Sequence, residues 1–188
     1  MYKIKNFSYL LGARGFSDNL LKTHFGLYEG YVKNTNSIIE KLKSTEAGVT
    51  EYAELKRRFG WEFNGMRLHE LYFENMTKEV SVANNNSSLY KKIENDFGSF
   101  EKWEKDFRST GSLRGIGWAI LARDNEDDSL FNIWVNEHDV GHLAGFTPLL
   151  IMDVFEHAFI IDYGMKRVEY IDSFMKAIDW GIVAKRFI

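Results

Sequence analysis

The sequence predicts an α+β protein: an N-terminal antiparallel helical hairpin, then a C-terminal domain with a small three-stranded antiparallel sheet flanked by helices. Three observations lead to this prediction. Apolar residues recur at helical spacing through two long stretches before residue 77, and strand-like runs lie between residues 118 and 154. The polar, Asn- and Ser-rich segment 83–88 separates them and is typical of a linker. The predicted domains are therefore residues 1–84 and residues 85–188.

The first predicted helix spans residues 17–43. Ser17 followed by Asp18 is a favourable helix start, because the hydroxyl caps free backbone N–H groups and the carboxylate suits the first turn. His24 shares the face of the apolar stripe, so we expect it to point inward. The members of that stripe are Leu20, Leu27, Tyr31, Ile38 and Leu42.

The second predicted helix spans residues 53–76 and follows a short break at residues 44–48. The two helices are expected to pack as an antiparallel hairpin. His69 lies on the inward face of the second helix and is therefore predicted to approach His24. This face contains Trp61, Gly65, Leu68, His69, Tyr72, Phe73 and Met76.

The C-terminal half is predicted to combine helices with a hairpin-containing sheet. Two short helices are predicted over residues 89–96 and 99–110, and one long helix over residues 165–185. The strand-like runs are residues 118–123, 130–136 and 149–154, and the acidic segment 124–128 is predicted to turn between the first two.

Composition indicates one compact enzyme rather than a nucleic-acid or membrane protein. The chain has 188 residues, which is long enough to bury a core. Its high aromatic content of 15% fits a packed, dry pocket. A net charge of −3 gives no electrostatic case for nucleic-acid binding. Its zero cysteines exclude disulfides and thiolate ligands. No apolar run is long enough to span a bilayer and no signal peptide is recognisable, so a cytoplasmic location is expected.

The segment 153–158 places a carboxylate and an imidazole four residues apart, at Asp153 and His157. Iron and manganese bind such oxygen and nitrogen ligands well. Together with inward-facing His24 and His69, the pair makes a site of three histidines and one carboxylate between the two domains. For any one of these histidines, an ordinary hydrogen-bonded core position is the competing interpretation.

The stretch 148–163, PLLIMDVFEHAFIIDY, resembles the C-terminal signature of the iron/manganese superoxide dismutases. Further matching blocks occur in the same order, so that the resemblance covers roughly residues 16–187. These blocks contain His24 with Tyr31, Val32 and Asn36; His69 with Tyr72 and Phe73; residues 97–100 and 115–118; and Trp180 with Val183 and Ala184.

The resemblance implies a superoxide dismutase, which converts superoxide to dioxygen and hydrogen peroxide by alternate reduction and oxidation of one metal ion. It implies that His24, His69, Asp153 and His157 bind one iron or manganese ion per subunit. Superoxide would be the small-molecule substrate, with no nucleic-acid or membrane partner.

The resemblance also assigns roles around the metal. Tyr31 matches the family's gateway tyrosine, and His138 falls where many members carry a glutamine that contacts metal-bound solvent. Gly65 is the small residue that accompanies such a C-terminal donor. It favours manganese-type members, whereas a histidine at the His138 position occurs in iron-containing members too, so the metal stays open. Glu156 matches a residue that reaches a metal-binding histidine of a second subunit, which implies a homodimer or tetramer. His142 is interpreted as an ordinary loop histidine.

Several positions depart from the family pattern. Leu27 and Ile160 are apolar where many members have a histidine and a tyrosine, and Phe155 replaces a tryptophan that lines the site. Since both polar partners are replaced together, neither is left unsatisfied, and the pattern indicates a repacked interface. Candidate cations for attracting superoxide are Lys33, Arg67, Lys166 and, best placed in the sequence, Arg167.

Two alternatives to a dismutase are considered. One, which these departures leave open, is a metal-binding or structural homodimer of the same fold that no longer dismutates superoxide. The other is another oxygen-handling metalloenzyme; di-iron carboxylate bundles use Glu-x-x-His pairs, and none occurs at the histidines of this chain.

Overall fold

A computed structural model describes residues 1–187, so Ile188, the last residue of the predicted C-terminal domain, lies outside the described residues. The N-terminal part is an antiparallel pair of long helices, α1 (Asp18–Ser44) and α2 (Thr50–Glu74). The Ser17 hydroxyl accepts a hydrogen bond from the Leu20 N–H and so starts α1, as predicted.

The C-terminal part begins with two short helices, α3 (Ser88–Phe97) and α4 (Phe100–Gly111). Ser87 and Ser99 cap them through their side chains. Gly98 joins the helices at a φ of +84°, a left-handed conformation that glycine adopts without steric cost.

Three antiparallel strands follow, β1 (Gly117–Asp124), β2 (Leu130–Asn136) and β3 (Phe146–Asp153), in the order β2-β1-β3. These helices and strands confirm the α+β prediction. The central strand β1 is buried over most of its length because elements pack on both of its faces. Trp118 pairs with Asp153, so this end of the sheet carries both residues toward the helical hairpin.

The prediction of one helix over residues 165–185 is wrong. The chain instead forms α5 (Ile160–Tyr163), α6 (Arg167–Lys176) and α7 (Trp180–Arg186). Between α6 and α7 the backbone pairs with the segment after α2: the Thr77 N–H donates to the Ala177 carbonyl, and the Asp179 N–H donates to the Asn75 carbonyl. The Asp179 side chain then caps α7.

Asn75 and Arg186 connect the two parts of the chain. The buried Asn75 amide accepts from the Ile151 N–H at 2.9 Å and donates to the Ile151 carbonyl at 3.2 Å, so it satisfies these backbone groups at the edge of β3 that does not pair with β1. Arg186 donates to the carbonyls of Leu149 and Leu71 at 2.9 and 3.0 Å. These bonds fix β3, and with it Asp153, against the end of α2.

Within residues 1–187, no helix has the length and apolar character needed to cross a membrane. The division at residues 84 and 85 stays a prediction.

Candidate metal centre

Four residues predicted as ligands come together where the helical hairpin meets the sheet. His24 lies on α1, His69 on α2, Asp153 at the end of β3, and His157 in the short 3-10 turn Glu156–Ala158. One ligand atom from each residue lies within 4.8 Å of the other three. All four except His157 are buried.

The three imidazoles converge on one carboxylate oxygen. The Nε2 atoms of His24 and His157 each lie 3.1 Å from Oδ2 of Asp153, and Nε2 of His69 lies 3.6 Å from it. A first-row ion holds imidazole nitrogen and carboxylate oxygen at about 2.0–2.2 Å, so ligands that share one ion lie roughly 3–4.4 Å apart. The separations from Oδ2 therefore fit a shared ion.

The orientation of His69 supports the same conclusion. Its Nδ1–H donates to the Gly65 carbonyl at 2.6 Å, and a carbonyl only accepts, so the neutral ring presents an unprotonated Nε2 to the cluster. Nε2 of His69 is buried and has no hydrogen-bond partner among residues 1–187. A buried lone pair facing a carboxylate is costly unless a cation lies between them. The residues therefore fit an iron or manganese ion.

The electrostatics of the cluster keep its groups ready to bind a cation. Burial opposes ionisation of Asp153, but the imidazoles of His157 and His24 outweigh it and hold its pKa well below the ordinary range. Burial lowers the pKa of His69 well below its ordinary value and also lowers that of His24. An anionic carboxylate beside neutral imidazoles is the protonation state that a metal ion requires.

Next to the ligands, Trp118, His138 and Tyr31 form a hydrogen-bonded row. The Trp118 indole N–H donates to Nδ1 of His138 at 3.1 Å, and Nε2 of His138 lies 2.7 Å from the Tyr31 hydroxyl. Indole nitrogen only donates, so neutral His138 carries its proton on Nε2 and donates it to Tyr31. Burial lowers the pKa of His138 to about 4, which keeps the ring neutral. The Tyr31 proton is then free to point away from His138.

Tyr31 is held tightly between its neighbours. Its ring stacks on His69 with centroids 5.1 Å apart. A Cβ atom added at Gly65 would lie 2.5 Å from Cδ1 of Tyr31, so only glycine leaves room for this ring. Burial raises the pKa of Tyr31, and the negative charges of Asp153 and Glu62 raise it further, so the hydroxyl stays protonated at neutral pH.

Phe155 completes the aromatic wall. Its ring stacks on His157 at 5.0 Å and lies 4.8 Å from the ring of His138. The Phe155 N–H donates to Oδ1 of Asp153 at 2.8 Å and leaves Oδ2 for the cluster.

One side of the centre faces solvent in the single chain. The His157 side chain is 26% exposed, and next to it in sequence Glu156 is exposed. Ile160 is 46% exposed, and Leu27, which the helical stripe predicted to be inward, is 36% exposed. The prediction for Leu27 is wrong: the residue lies at the edge of the buried face of α1, where part of its side chain stays open to solvent.

The predicted cations lie in different surroundings. Arg167 donates to the carbonyls of Leu113 and Gly115 at 2.8 and 2.7 Å, and Arg67 is paired with Glu70 at 2.6 Å. Lys33 and Lys166 form exposed helix-surface pairs. His142 lies outside the cluster, with Nε2 at 2.9 Å from the His138 carbonyl.

Sequence reasoning gave no role to three residues near His138: Trp118, which lies in the matched block 115–118, Trp61 and Arg58. The rings of Trp61 and His138 meet in a T-shaped contact with their centroids 4.8 Å apart, and the Arg58 guanidinium lies 5.3 Å from the centre of the Trp61 ring. Helical periodicity predicts that Trp61 shares a face of α2 with His69. It gives no indication that His138, a loop residue, packs on the Trp61 ring.

Together, the fold and the site define a protein in which three imidazoles and one carboxylate, a group that could hold one metal ion, lie between a helical hairpin and a three-stranded sheet. The family described as "iron/manganese superoxide dismutases, C-terminal domain" matches residues 85–186. The chain therefore belongs to the iron/manganese superoxide dismutase family, as its relatives also show.

Curated relatives cover nearly the whole chain. An iron superoxide dismutase of Cupriavidus metallidurans is 37% identical over 92% of this chain and 89% of its own length. An iron superoxide dismutase of Aquifex aeolicus is 35% identical, covering 92% and 84%. Manganese superoxide dismutase 2 of Haloferax volcanii is 34% identical, covering 91% and 86%.

Proposed function

We propose that the protein is a superoxide dismutase that uses one iron or manganese ion per chain, held by His24, His69, Asp153 and His157. The observation that carries this proposal is the convergence of three imidazole Nε2 atoms on Oδ2 of Asp153, with the buried Nε2 of His69 left without a partner in the described chain. Membership of the family supplies the reaction.

When bound, the ion supplies one-electron redox chemistry, cycling between the +2 and +3 states so that one superoxide is oxidised to dioxygen and another is reduced to hydrogen peroxide. The chain supplies the surroundings. Three neutral imidazoles and a single carboxylate leave the site cationic in both states, which favours a small anionic substrate.

We propose that Tyr31 donates protons for the formation of hydrogen peroxide. Its hydroxyl accepts from His138, and its own proton is free to be donated toward the centre. His138 is proposed to act as the fixed donor that orients Tyr31, with Trp118 holding its tautomer.

The aromatic side chains around the ligands are proposed to exclude bulk water. The centroid of the His69 ring lies 4.9 Å from that of Trp118 and 5.1 Å from that of Tyr31, and the Phe155 ring stacks on His157. Exclusion of water strengthens the fixed hydrogen bonds and charges inside the site. Phe155 in place of a tryptophan changes the shape of this wall while its backbone N–H still supports Asp153.

We further propose that the working protein is at least a homodimer and lies in the cytoplasm. Leu27, Glu156 and Ile160 are exposed and His157 is partly exposed, and a second copy packed against these residues would bury the two apolar side chains. Sedimentation of the metal-loaded protein tests this: a dimer or tetramer is expected, and Ile160→Glu should shift it toward monomer.

Dismutation by protein loaded separately with iron and with manganese tests the proposed function. His157→Ala should abolish activity, whereas His142→Ala, which removes a histidine outside the cluster, should retain it. Tight binding of one ion per chain without activity in either form would overturn the proposal in favour of a non-dismutating metal-binding homologue.

A further inference from the structure

A row of side chains in contact with one another leads from the protein surface to the hydroxyl of Tyr31. The Arg58 guanidinium lies 5.3 Å from the centre of the Trp61 ring, and the rings of Trp61 and His138 meet in a T-shaped contact with their centroids 4.8 Å apart. His138 in turn contacts Tyr31 through the hydrogen bond of 2.7 Å. The Arg58 side chain is 46% exposed, and Trp61 and Tyr31 are half-buried, so this row runs from the protein surface toward the Tyr31 hydroxyl.

Arg58 is anchored by a carboxylate that lies deeper than itself. The side chain of Glu62, one helical turn later in α2, is only 3% exposed and accepts from Nε of Arg58 at 2.8 Å. Its other oxygen accepts from the Asn34 amide of α1 at 3.2 Å. The Arg58–Glu62 pair is therefore a fixed dipole with its positive end toward solvent and its negative end toward the interior.

The charges of the pair act on the residues beside the centre. Beyond burial and Asp153, which raise the pKa of Tyr31, Glu62 raises it and Arg58 lowers it. Arg58 also adds to the effect of burial in lowering the pKa of His138. The two charges have opposite effects on Tyr31. Neutralising Arg58 therefore makes the local potential more negative, and neutralising Glu62 makes it more positive.

We propose that the Arg58–Glu62 pair controls the electrostatic attraction of small monovalent anions, superoxide included, to the metal centre. The proposal rests on the proposed function for its substrate. An approaching anion meets the exposed guanidinium first, and Glu62 limits the attraction by compensating part of that charge. The cations that the sequence suggested for this role are engaged elsewhere: Arg67 with Glu70, and Arg167 with backbone carbonyls.

Opposite effects are expected for the two halves of the pair. Arg58→Gln leaves Glu62 uncompensated and should lower the affinity for anions, and Glu62→Gln leaves Arg58 uncompensated and should raise it. Whole-protein fields change association rates by about 10- to 1,000-fold, so one charge is expected to contribute about three- to tenfold at low ionic strength. The double variant should return close to wild type.

The experiment measures azide binding to the metal-loaded protein by its absorption, together with kcat/KM for superoxide. Both are measured at about 0.01 M and about 1 M salt, where the Debye length falls from about 30 Å to about 3 Å. Arg57→Gln and Glu54→Gln make the same charge changes in the neighbouring exposed pair of α2 and serve as matched controls. Arg58→Lys keeps the charge and should stay close to wild type.

Opposite shifts for Arg58→Gln and Glu62→Gln that vanish at high salt would support the proposal. It would be overturned by unchanged azide affinity, by losses in both variants that persist at high salt, or by equal effects of the Arg57 and Glu54 controls. If the wild-type protein binds azide but does not dismutate superoxide, the proposed function is overturned. The azide affinities of the Arg58 and Glu62 variants still show whether the pair controls anion attraction.

Discussion

Gly65 offers a sharp test of how tightly Tyr31 is held. In Gly65→Ala, the new Cβ would lie 2.5 Å from Cδ1 and 2.7 Å from Cε1 of Tyr31. Carbon atoms in ordinary contact lie about 3.5–4 Å apart, so the ring must retreat by roughly 1 Å. That movement stretches its 2.7 Å hydrogen bond to His138 beyond the useful range.

The expected magnitudes come from two opposing effects. Alanine in place of glycine inside a helix stabilises by about 1 kcal/mol, whereas overpacking a tight contact costs about 1–3 kcal/mol. Gly60→Ala in the same helix isolates the first effect, because no heavy atom of residues 1–187 would lie within 4 Å of its Cβ apart from the helix's own neighbouring backbone. Gly65→Ala should therefore be about 1–3 kcal/mol less stable than Gly60→Ala.

Urea unfolding of the metal-free variants measures the difference in free energy of unfolding, and dismutation of the metal-loaded variants measures the functional effect. A displacement of about 1 Å at a reacting group lowers rates by up to about 100-fold, so Gly65→Ala should lose roughly 10- to 100-fold in kcat/KM while Gly60→Ala keeps wild-type activity. The reasoning would be refuted if Gly65→Ala were as stable as Gly60→Ala and fully active.

Three further predictions concern stability and proton positions. Asn75→Ala should lower the free energy of unfolding in urea by about 2–4 kcal/mol, because it strips the buried N–H and carbonyl of Ile151 of their partner; an unchanged value would contradict the role given to this amide. Although burial opposes ionisation of Asp96, its hydrogen bonds keep its pKa below the ordinary value, so the stability that it contributes is complete above about pH 3.9 and is lost as the pH falls through the lower folded-state pKa. Asp96→Asn should thus make unfolding less dependent on pH below about pH 3.9, and an unaltered acid slope would count against it. Trp118→Phe should release Nδ1 of His138, so that ring ¹⁵N shifts report a mixture of tautomers instead of the Nε2–H form; a single unchanged tautomer would remove the argument for Trp118.

The sequence predicted most helices and strands because their signals are local. Ser17 caps α1 as expected, and the observed bounds of α2 and β3 differ from the predicted ones by three residues or fewer. The helix predicted over residues 165–185 failed because its middle pairs with the backbone after α2. That pairing depends on how distant segments pack, which helical periodicity does not encode.

The candidate ligand residues could be predicted mainly from the resemblance of the stretch 148–163 and of the blocks around His24 and His69 to the iron/manganese superoxide dismutases, and the fold brings all four residues together. The surroundings were harder to predict. Trp118 and Trp61 meet His138 only because the loop after β2 folds back between the sheet and α2, and that path leaves no sequence pattern. Nothing in the sequence distinguishes Arg58 from other surface arginines. Its contact with Trp61, which packs on His138, links it to this loop.

The most direct test of the central claim is anomalous X-ray scattering at the iron and manganese edges from crystals of the metal-loaded protein. We predict one peak per chain in bonding contact with Nε2 of His24, His69 and His157 and with Oδ2 of Asp153. A protein that dismutates superoxide with its metal bound elsewhere, or with no peak at these four atoms, would contradict the assignment of the site.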